Sequence, residues 1–165
     1  MSSKFFDASG DAISASDRLL ILLYFGIGAS AALFGLLPLP DIQSPRLLLC
    51  ALFGAVILFS SSSFGWLLLP ICVFFFGFYA QKETMGFLKS FSGLGVEEIR
   101  QVICSMILLP AFFLTGTHGL CVSAALQNAL GSSGPTAREV YQKEFCCVLL
   151  SALVGLAAVF YFYSQ

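Results

Sequence analysis

Charged residues are scarce in this sequence. Lys, Arg, Asp and Glu together supply 10% of its 165 residues, whereas hydrophobic residues supply 58%. None of the four charged types occurs in the stretches 19–40, 47–81, 101–137 and 145–165. An ordinary soluble domain is about one quarter charged and cannot bury four such stretches at this length. The composition therefore excludes an ordinary soluble domain and indicates an integral membrane protein with the lipid bilayer as its surroundings.

Residue sets that support catalysis or metal binding are also missing. The one histidine, His118, has no Asp or Glu within its own apolar stretch, and the Gly-x-Ser-x-Gly motif, the phosphate-binding loop and the dinucleotide glycine fingerprint are absent. No CxxC pair or Cys/His spacing suits a metal, and a cysteine in an apolar stretch is usually a small filler. We therefore predict no enzyme activity, no cofactor, no metal and no nucleic-acid partner. The cysteines are Cys50, Cys72, Cys104, Cys121, Cys146 and Cys147.

The lengths of the apolar stretches predict the fold class. A helix rises about 1.5 Å per residue, so about 20 apolar residues cross a bilayer. We predict an all-α, polytopic helical membrane protein with about five transmembrane helices, four being the alternative. A polar N-terminal tail, 1–17, shows no cleavable signal peptide and precedes one membrane domain, 18–165. The predicted spans are 19–37, 46–60, 65–81, 101–126 and 145–163.

The stretch 47–81 is too long for one span, and its middle is polar. Four consecutive serines, 60–63, are followed by Gly65 and Trp66. Hydroxyls and tryptophan suit the membrane interface, which predicts a hairpin between two short spans. The alternative is a polar seam inside one tilted, broken helix.

The first span is rich in small residues, among them Gly26, Gly28 and Ser30. Small side chains let a neighbouring helix approach closely. Ordinary membrane-helix composition gives the same pattern, so both interpretations stay open.

The fourth span holds the candidate polar site and the candidate kink. Thr115, Thr117 and His118 follow Pro110, which removes one backbone hydrogen bond and favours a bend. Polar groups at membrane depth are costly and often functional. They predict either a polar path that holds a proton or a hydrogen bond that fixes packing against another span. No intramembrane carboxylate is predicted beside His118, so a proton relay would lack its second member.

The segment 82–100 has the longest run of charge, with apolar residues at helical spacing. This pattern predicts a short amphipathic helix on the membrane surface between spans three and four, with a re-entrant loop as the alternative. It is the candidate partner-docking surface. Basic residues divide equally between the two sides, so the positive-inside rule does not fix the orientation, although Arg18 beside the first span favours a cytoplasmic N terminus. The apolar residues of this surface are Phe87, Leu88, Phe91 and Leu94.

The positions of glycine and proline between the apolar segments resemble those of a known family. The segments FGWLLLP at 64–70, FGFY at 76–79, MGFLKSF at 85–91 and LLPA at 108–111 follow one another as in the stage II sporulation protein M family. The chain resembles that family from about residue 44 to its C terminus, and five spans match the family's topology.

The resemblance implies a non-enzymatic scaffold in the bacterial cytoplasmic membrane. Such a protein anchors a peptidoglycan-remodelling complex during septal thinning and engulfment in sporulation, with peptidoglycan hydrolases as partners. Two features depart from the family. The stretch 38–45 is a tight turn where the family has a long extracytoplasmic loop, and 97–101 replaces a polar entry to the fourth span. These departures imply a reduced relative whose partner is different or missing.

Two hypotheses for function follow. The first is a membrane scaffold that recruits other membrane or wall-remodelling proteins. The second is a small transporter or channel subunit with a polar path along the fourth span, which requires a homo-oligomer because five spans are few for a carrier.

Overall fold

The computed structural model describes residues 15–34, 45–90, 95–131 and 135–163, and it contains five α-helices there. They are α1 (Ala15–Leu33), α2 (Pro45–Ser60), α3 (Gly65–Ser90), α4 (Val96–Gly131) and α5 (Pro135–Phe162). Two of them, α2 and α5, begin with proline, whose fixed φ angle and missing N–H suit the first helical position. The all-α class is confirmed, with five helices among the described residues, whereas the number of helices that cross a membrane stays a prediction.

The hairpin predicted at the serines is confirmed. α2 ends at Ser60 and α3 begins at Gly65, with turn backbone between them. The N–H of Gly65 donates to the carbonyl oxygen of Ser62 at 3.1 Å, which closes the turn. The alternative of one broken helix through the serines is therefore wrong.

Most predicted span limits differ from the helix limits, because hydropathy marks the apolar part of a helix rather than its ends. α1 begins four residues before the predicted 19 and ends at Leu33, not 37, and α4 and α5 begin earlier than 101 and 145. The helix that holds the predicted span 65–81 does not end at Gln81. α3 continues to Ser90, since Gln, Lys, Glu and Met are good helix formers and outweigh Gly86.

The surface segment predicted at 82–100 is accordingly divided between two long helices. Residues 82–90 belong to the backbone of α3, and α4 begins at Val96. The side chains of Phe87 and Leu88, and the whole of Phe91 and Leu94, lie outside the described residues.

α4 is the central helix. Among the described residues it packs against all four other helices. The core forms around Phe112, whose ring stacks on Phe76 at 3.9 Å between centroids and meets Phe53 edge-on at 5.1 Å. Phe25 of α1 joins through Phe113 at 4.9 Å. These pairs place aromatic rings from four helices in one layer.

α1 and α3 cross at two glycines. A Cβ at Gly28 would overlap the carbonyl oxygen of Phe74, and a Cβ at Gly77 would overlap that of Phe25. At Gly26, in contrast, a Cβ would meet nothing within 4 Å. Close approach of a neighbour is thus confirmed for the first helix, at Gly28 rather than throughout its small residues.

The contacts of α4 define two ends of the bundle. At one end, called the arginine end, Arg46 and Arg100 lie beside Phe160 and Tyr161 of α5. At the other, called the serine end, Gly119 packs against Ser60 and the hairpin turn. From Arg100 to Gly119 the helix rises about 28 Å at about 1.5 Å per residue.

Large apolar side chains point outward between these ends. Leu22, Leu58, Ile71, Met106 and Leu153 are one exposed example from each of the five helices, with 45–71% of their surface accessible. Two segments, Ile99–Gln127 and Arg138–Phe162, are long and apolar enough to cross a membrane, judged on length and composition, whereas Arg18–Leu33, Pro45–Ser60 and Gly65–Gln81 are apolar but shorter.

Candidate functional site

Two of the three predicted polar residues of α4 face α5. Thr115 is completely buried, and His118 lies one turn further along the same face, since residues three apart are neighbours on a helix surface. Thr117 lies apart from them, because its hydroxyl bonds within α4 to the carbonyl oxygens of Phe113 and Leu114, at 2.9 and 3.1 Å. The structure therefore places Thr115 and His118, but not Thr117, at the interface between α4 and α5.

Thr115 meets a second hydroxyl at that interface. Its Oγ1 lies 2.6 Å from the carbonyl oxygen of Ala111 and 2.9 Å from Oγ of Ser151 on α5. Ser151 Oγ in turn donates to the carbonyl oxygen of Cys147 at 2.8 Å. Each hydroxyl has one proton and accepts as well, so the pair satisfies itself without water. This is an interhelical hydrogen bond of the kind that fixes helix packing in an apolar medium.

His118 meets a carboxylate, contrary to the sequence-based expectation that it has no acidic partner. Its Nδ1 lies 2.6 Å from Oε2 of Glu144 on α5, and each side chain is 18% exposed. A carboxylate that faces Nδ1 makes this nitrogen the donor of the pair and leaves Nε2 as the ring nitrogen outside it. The pair has the composition of a proton-holding site: one carboxylate that orients one imidazole.

Glu144 and Ser151 were missed because the contact depends on the register of two helices. Glu144 lies directly before the predicted start of the fifth span at 145, a position that predicts exposure to water. The usable signal was hairpin geometry, because residues equally distant from the turn between two antiparallel helices lie side by side. Thr115 and Ser151 are each 18 residues from position 133, midway between the end of α4 and the start of α5, and the His118–Glu144 contact departs from that symmetry by about one helical turn.

The site lies at the serine end of the bundle rather than in its middle. Gly119, the neighbour of His118, packs against the side chain of Ser60, the last residue of α2. His118 is thus level with the hairpin turn, and Thr115 lies one turn deeper. The imidazole keeps 18% of its surface exposed at this end.

The same end has a second polar cluster, formed between α4 and the hairpin turn. Ser123 Oγ accepts a hydrogen bond from the backbone N–H of Trp66 at 3.1 Å and donates one to the carbonyl oxygen of Ser62 at 2.9 Å. Gln127 Nε2 donates to the carbonyl oxygen of Ser63 at 2.6 Å. Ser123 therefore caps the first turn of α3 from another helix, since the first N–H groups of a helix lack partners within it.

Pro110 lies inside α4, and the helix continues on both sides of it. The ring leaves the carbonyl oxygen of Met106 without its usual intrahelical donor. The bend predicted at Pro110 stays a prediction. Thr115 Oγ1 lies 2.6 Å from the carbonyl oxygen of Ala111, which is not the carbonyl group that the proline leaves without a donor.

Metal-binding geometry is not seen in the described part of the chain. No three His, Cys, Asp or Glu side chains come together there, and all six cysteines are free thiols. The polar side chains that α4 contributes toward the serine end therefore take part in a His–Glu pair, a Thr–Ser pair and the serine cap.

Comparison of the chain with protein-family models, with curated proteins and with solved structures gives no match.

Proposed function

We propose that the chain is a multi-pass membrane protein in which all five helices cross the bilayer, and that it serves as a non-enzymatic scaffold. The three helices that are short for a span support this, because they pack beside α4 within the same layer. Arg46 and Ser60 of α2 lie at the same two ends of the bundle as Arg100 and Gly119 of α4. The layer is about 21–28 Å thick at about 1.5 Å per residue, near a thin hydrocarbon core.

The observation that carries the proposal is the division between outside and inside. Outward positions hold large apolar side chains, such as Leu58 at 69% and Met106 at 71% exposure. Inward polar groups are used in bonds between or within helices, as at Thr115 and Ser123. A soluble bundle has the opposite arrangement, because exposed apolar surface of this extent leads to association in water. In a bilayer the apolar exterior is solvated by lipid.

The membrane part of this proposal is tested by extraction and by topology mapping. Alkaline carbonate should leave the chain in the membrane pellet, and a cysteine-reactive, membrane-impermeant maleimide should label single-cysteine variants only at the two ends of the bundle. Cys146 is exposed near the serine end and should be labelled, whereas Cys104 is 1% exposed and should not. Release of the chain by carbonate would refute membrane embedding.

Two observations support the proposed scaffold role. Polar side chains form hydrogen bonds between helices, and the chain resembles the stage II sporulation protein M family. Hydrogen bonds that tie α4 to α3 and α5 stabilise a fixed shape, which a docking platform needs. The proposed location is the bacterial cytoplasmic membrane, and the proposed partners are other membrane or wall-remodelling proteins, with homo-oligomers as a further form. The proposed docking surface is Phe87, Leu88, Phe91 and Leu94.

Co-purification tests the scaffold. The tagged chain is isolated from native membranes in mild detergent, and mass spectrometry identifies what accompanies it. Wall hydrolases or division and sporulation proteins should be recovered with the wild type, should be lost with Phe87→Ser/Leu88→Ser, and should be kept with the lipid-facing control Leu149→Ala/Leu150→Ala. Recovery of a single self-assembled species without partners would contradict the scaffold.

The His118–Glu144 pair favours a second candidate, a proton-linked conduit. It supplies the carboxylate that a relay needs, at an end of the bundle where 18% of the imidazole surface is exposed. Reconstitution in liposomes with a pH-sensitive dye tests it. A conduit should lose proton flux in both His118→Ala and Glu144→Gln while the fold persists, whereas a scaffold should show no flux in the wild type.

A further inference from the structure

Two arginines from different helices meet the last turn of α5. The guanidinium carbon of Arg46, in the first turn of α2, lies 4.4 Å from the centroid of the Phe160 ring. Arg100, in the second turn of α4, donates from a terminal guanidinium nitrogen to the carbonyl oxygen of Tyr161 at 3.1 Å. Two positive charges are thus held beside two consecutive residues of one helix.

Part of this arrangement is structural. The last carbonyl groups of a helix carry negative partial charge, and the last turn of α5 has no basic residue of its own. Arg100 supplies that charge from α4 and bonds one of those carbonyl oxygens. Arg46 contacts the ring of Phe160 and, in the ranges that the structure describes, no carbonyl oxygen. Neutralising the end of α5 therefore does not explain what the N–H donors of Arg46 bind.

Arg46 has no carboxylate partner among the residues that the structure describes, and the first turn of α2 contains no acidic residue. A guanidinium in contact with an aromatic ring keeps its N–H donors, which lie in the plane of the group. Such a fork matches the oxygens of a phosphate. His118 at the serine end differs, since it meets the carboxylate of Glu144.

The position of Arg46 matches the headgroup level of a bilayer, and this step rests on the membrane placement proposed above. The arginine end lies about 28 Å from the level of Gly119 along α4. Tyrosines mark this end: Tyr161 is 73% exposed, and the hydroxyl oxygens of Tyr79 and Tyr163 lie 3.4 Å apart. Tyrosine and arginine at one depth are typical of the interface between lipid and water.

We propose that Arg46, with Arg100 beside it, binds the phosphate of an anionic phospholipid in the leaflet at the arginine end. Arg46 supplies the in-plane donors, Arg100 adds positive charge, and the exposed apolar side chain of Leu47 lies beside Arg46 for the acyl chain. Glu97 and Glu98 precede Arg100 in the sequence and reduce the net charge near it, so Arg46 is the principal contact.

Thermal unfolding in detergent tests the site. The purified full chain is titrated at low salt with phosphatidylglycerol, and phosphatidylcholine and inorganic phosphate at the same concentration are the two comparison ligands. Phosphatidylglycerol should raise the Tm of the wild type more than either of these ligands does. Arg46→Gln should lose about half or more of that rise, and Arg46→Lys should lose an intermediate part because lysine keeps the charge but not the planar fork.

The matched control is Arg138→Gln, which removes one exposed arginine from the serine end and should keep the full response. A full response in Arg46→Gln, or an equal rise with phosphatidylcholine, would overturn the proposal. An equal rise with inorganic phosphate would show a site for free phosphate rather than lipid. If Arg46→Gln does not fold, the comparison of Arg46→Lys with the wild type decides. Carbonate extraction distinguishes failure of the lipid site from failure of the membrane placement. Release of the chain by carbonate refutes the placement, whatever the Tm response to lipid.

Discussion

Replacing Gly28 by alanine should destabilise the bundle, whereas the same change two residues earlier should not. A Cβ at position 28 would overlap the carbonyl oxygen of Phe74 and would lie 2.9 Å from its carbonyl carbon. These are backbone atoms of α3, so no side-chain rotation relieves the overlap. α1 and α3 must separate by about 1 Å, which forfeits a quarter to a half of each dispersion contact along the crossing.

The magnitude follows from two opposing effects. Overpacking of this kind costs about 1–3 kcal/mol, and alanine in place of glycine favours a helix by up to about 1 kcal/mol. Gly26→Ala carries the favourable effect alone, because a Cβ there meets nothing within 4 Å. At about 2–4 °C per kcal/mol for a chain of this size, a net difference near 2 kcal/mol places the Tm of Gly28→Ala about 4–8 °C below that of Gly26→Ala.

Thiol exposure on heating provides the assay. Cys72 and Cys104 are 6% and 1% exposed, so a fluorogenic maleimide reports their release as the purified protein unfolds in detergent. Gly77→Ala should behave like Gly28→Ala, and the double variant should cost less than the sum, since one separation of the helices relieves both overlaps. Equal Tm values for Gly28→Ala and Gly26→Ala would refute the close crossing.

Three further predictions concern the polar contacts of α4. Ser123→Ala should lower the free energy of unfolding by about 1–2 kcal/mol, because the backbone N–H of Trp66 loses its acceptor. It should also change the fluorescence of Trp66, the sole tryptophan. The control is Ser105→Ala at an exposed serine, and equal effects of the two variants would contradict the cap. A double-mutant cycle with His118→Ala and Glu144→Gln should give a coupling energy of about 0.5–3 kcal/mol in thermal unfolding, and additive effects would mean that the 2.6 Å contact contributes nothing. Thr115→Val should cost about 0.5–2 kcal/mol and Ser151→Ala should add little to it, because both remove the same hydrogen bond between α4 and α5.

Local composition was enough to predict the helices and the hairpin. Four serines followed by Gly65 interrupt an apolar stretch. A polar segment of this kind between two apolar segments favours a turn that joins two helices. The ends of α3 and α4 were not predictable in the same way, because Gln81 and the residues after it are polar but still favour a helix. Hydropathy marks the apolar part of a helix, and the helix itself continues into the polar residues beyond that part.

Contacts between helices were harder to predict. The sequence shows small residues on both faces of α1, and only the packed structure selects Gly28 over Gly26. Likewise, Glu144 follows a lysine at the edge of an apolar stretch, where an acidic residue normally faces water. Its pairing with His118 depends on the register of α4 against α5, which pairs residues of two different helices.

The two residues that form the cap on α3 are made at different times during synthesis. Trp66 leaves the ribosome 57 residues before Ser123, so α2 and the start of α3 are made while the first turn of α3 still lacks this acceptor. The hairpin is therefore completed by a helix that is made after it, and in a nascent chain arrested before residue 123 the turn between α2 and α3 is still without its cap.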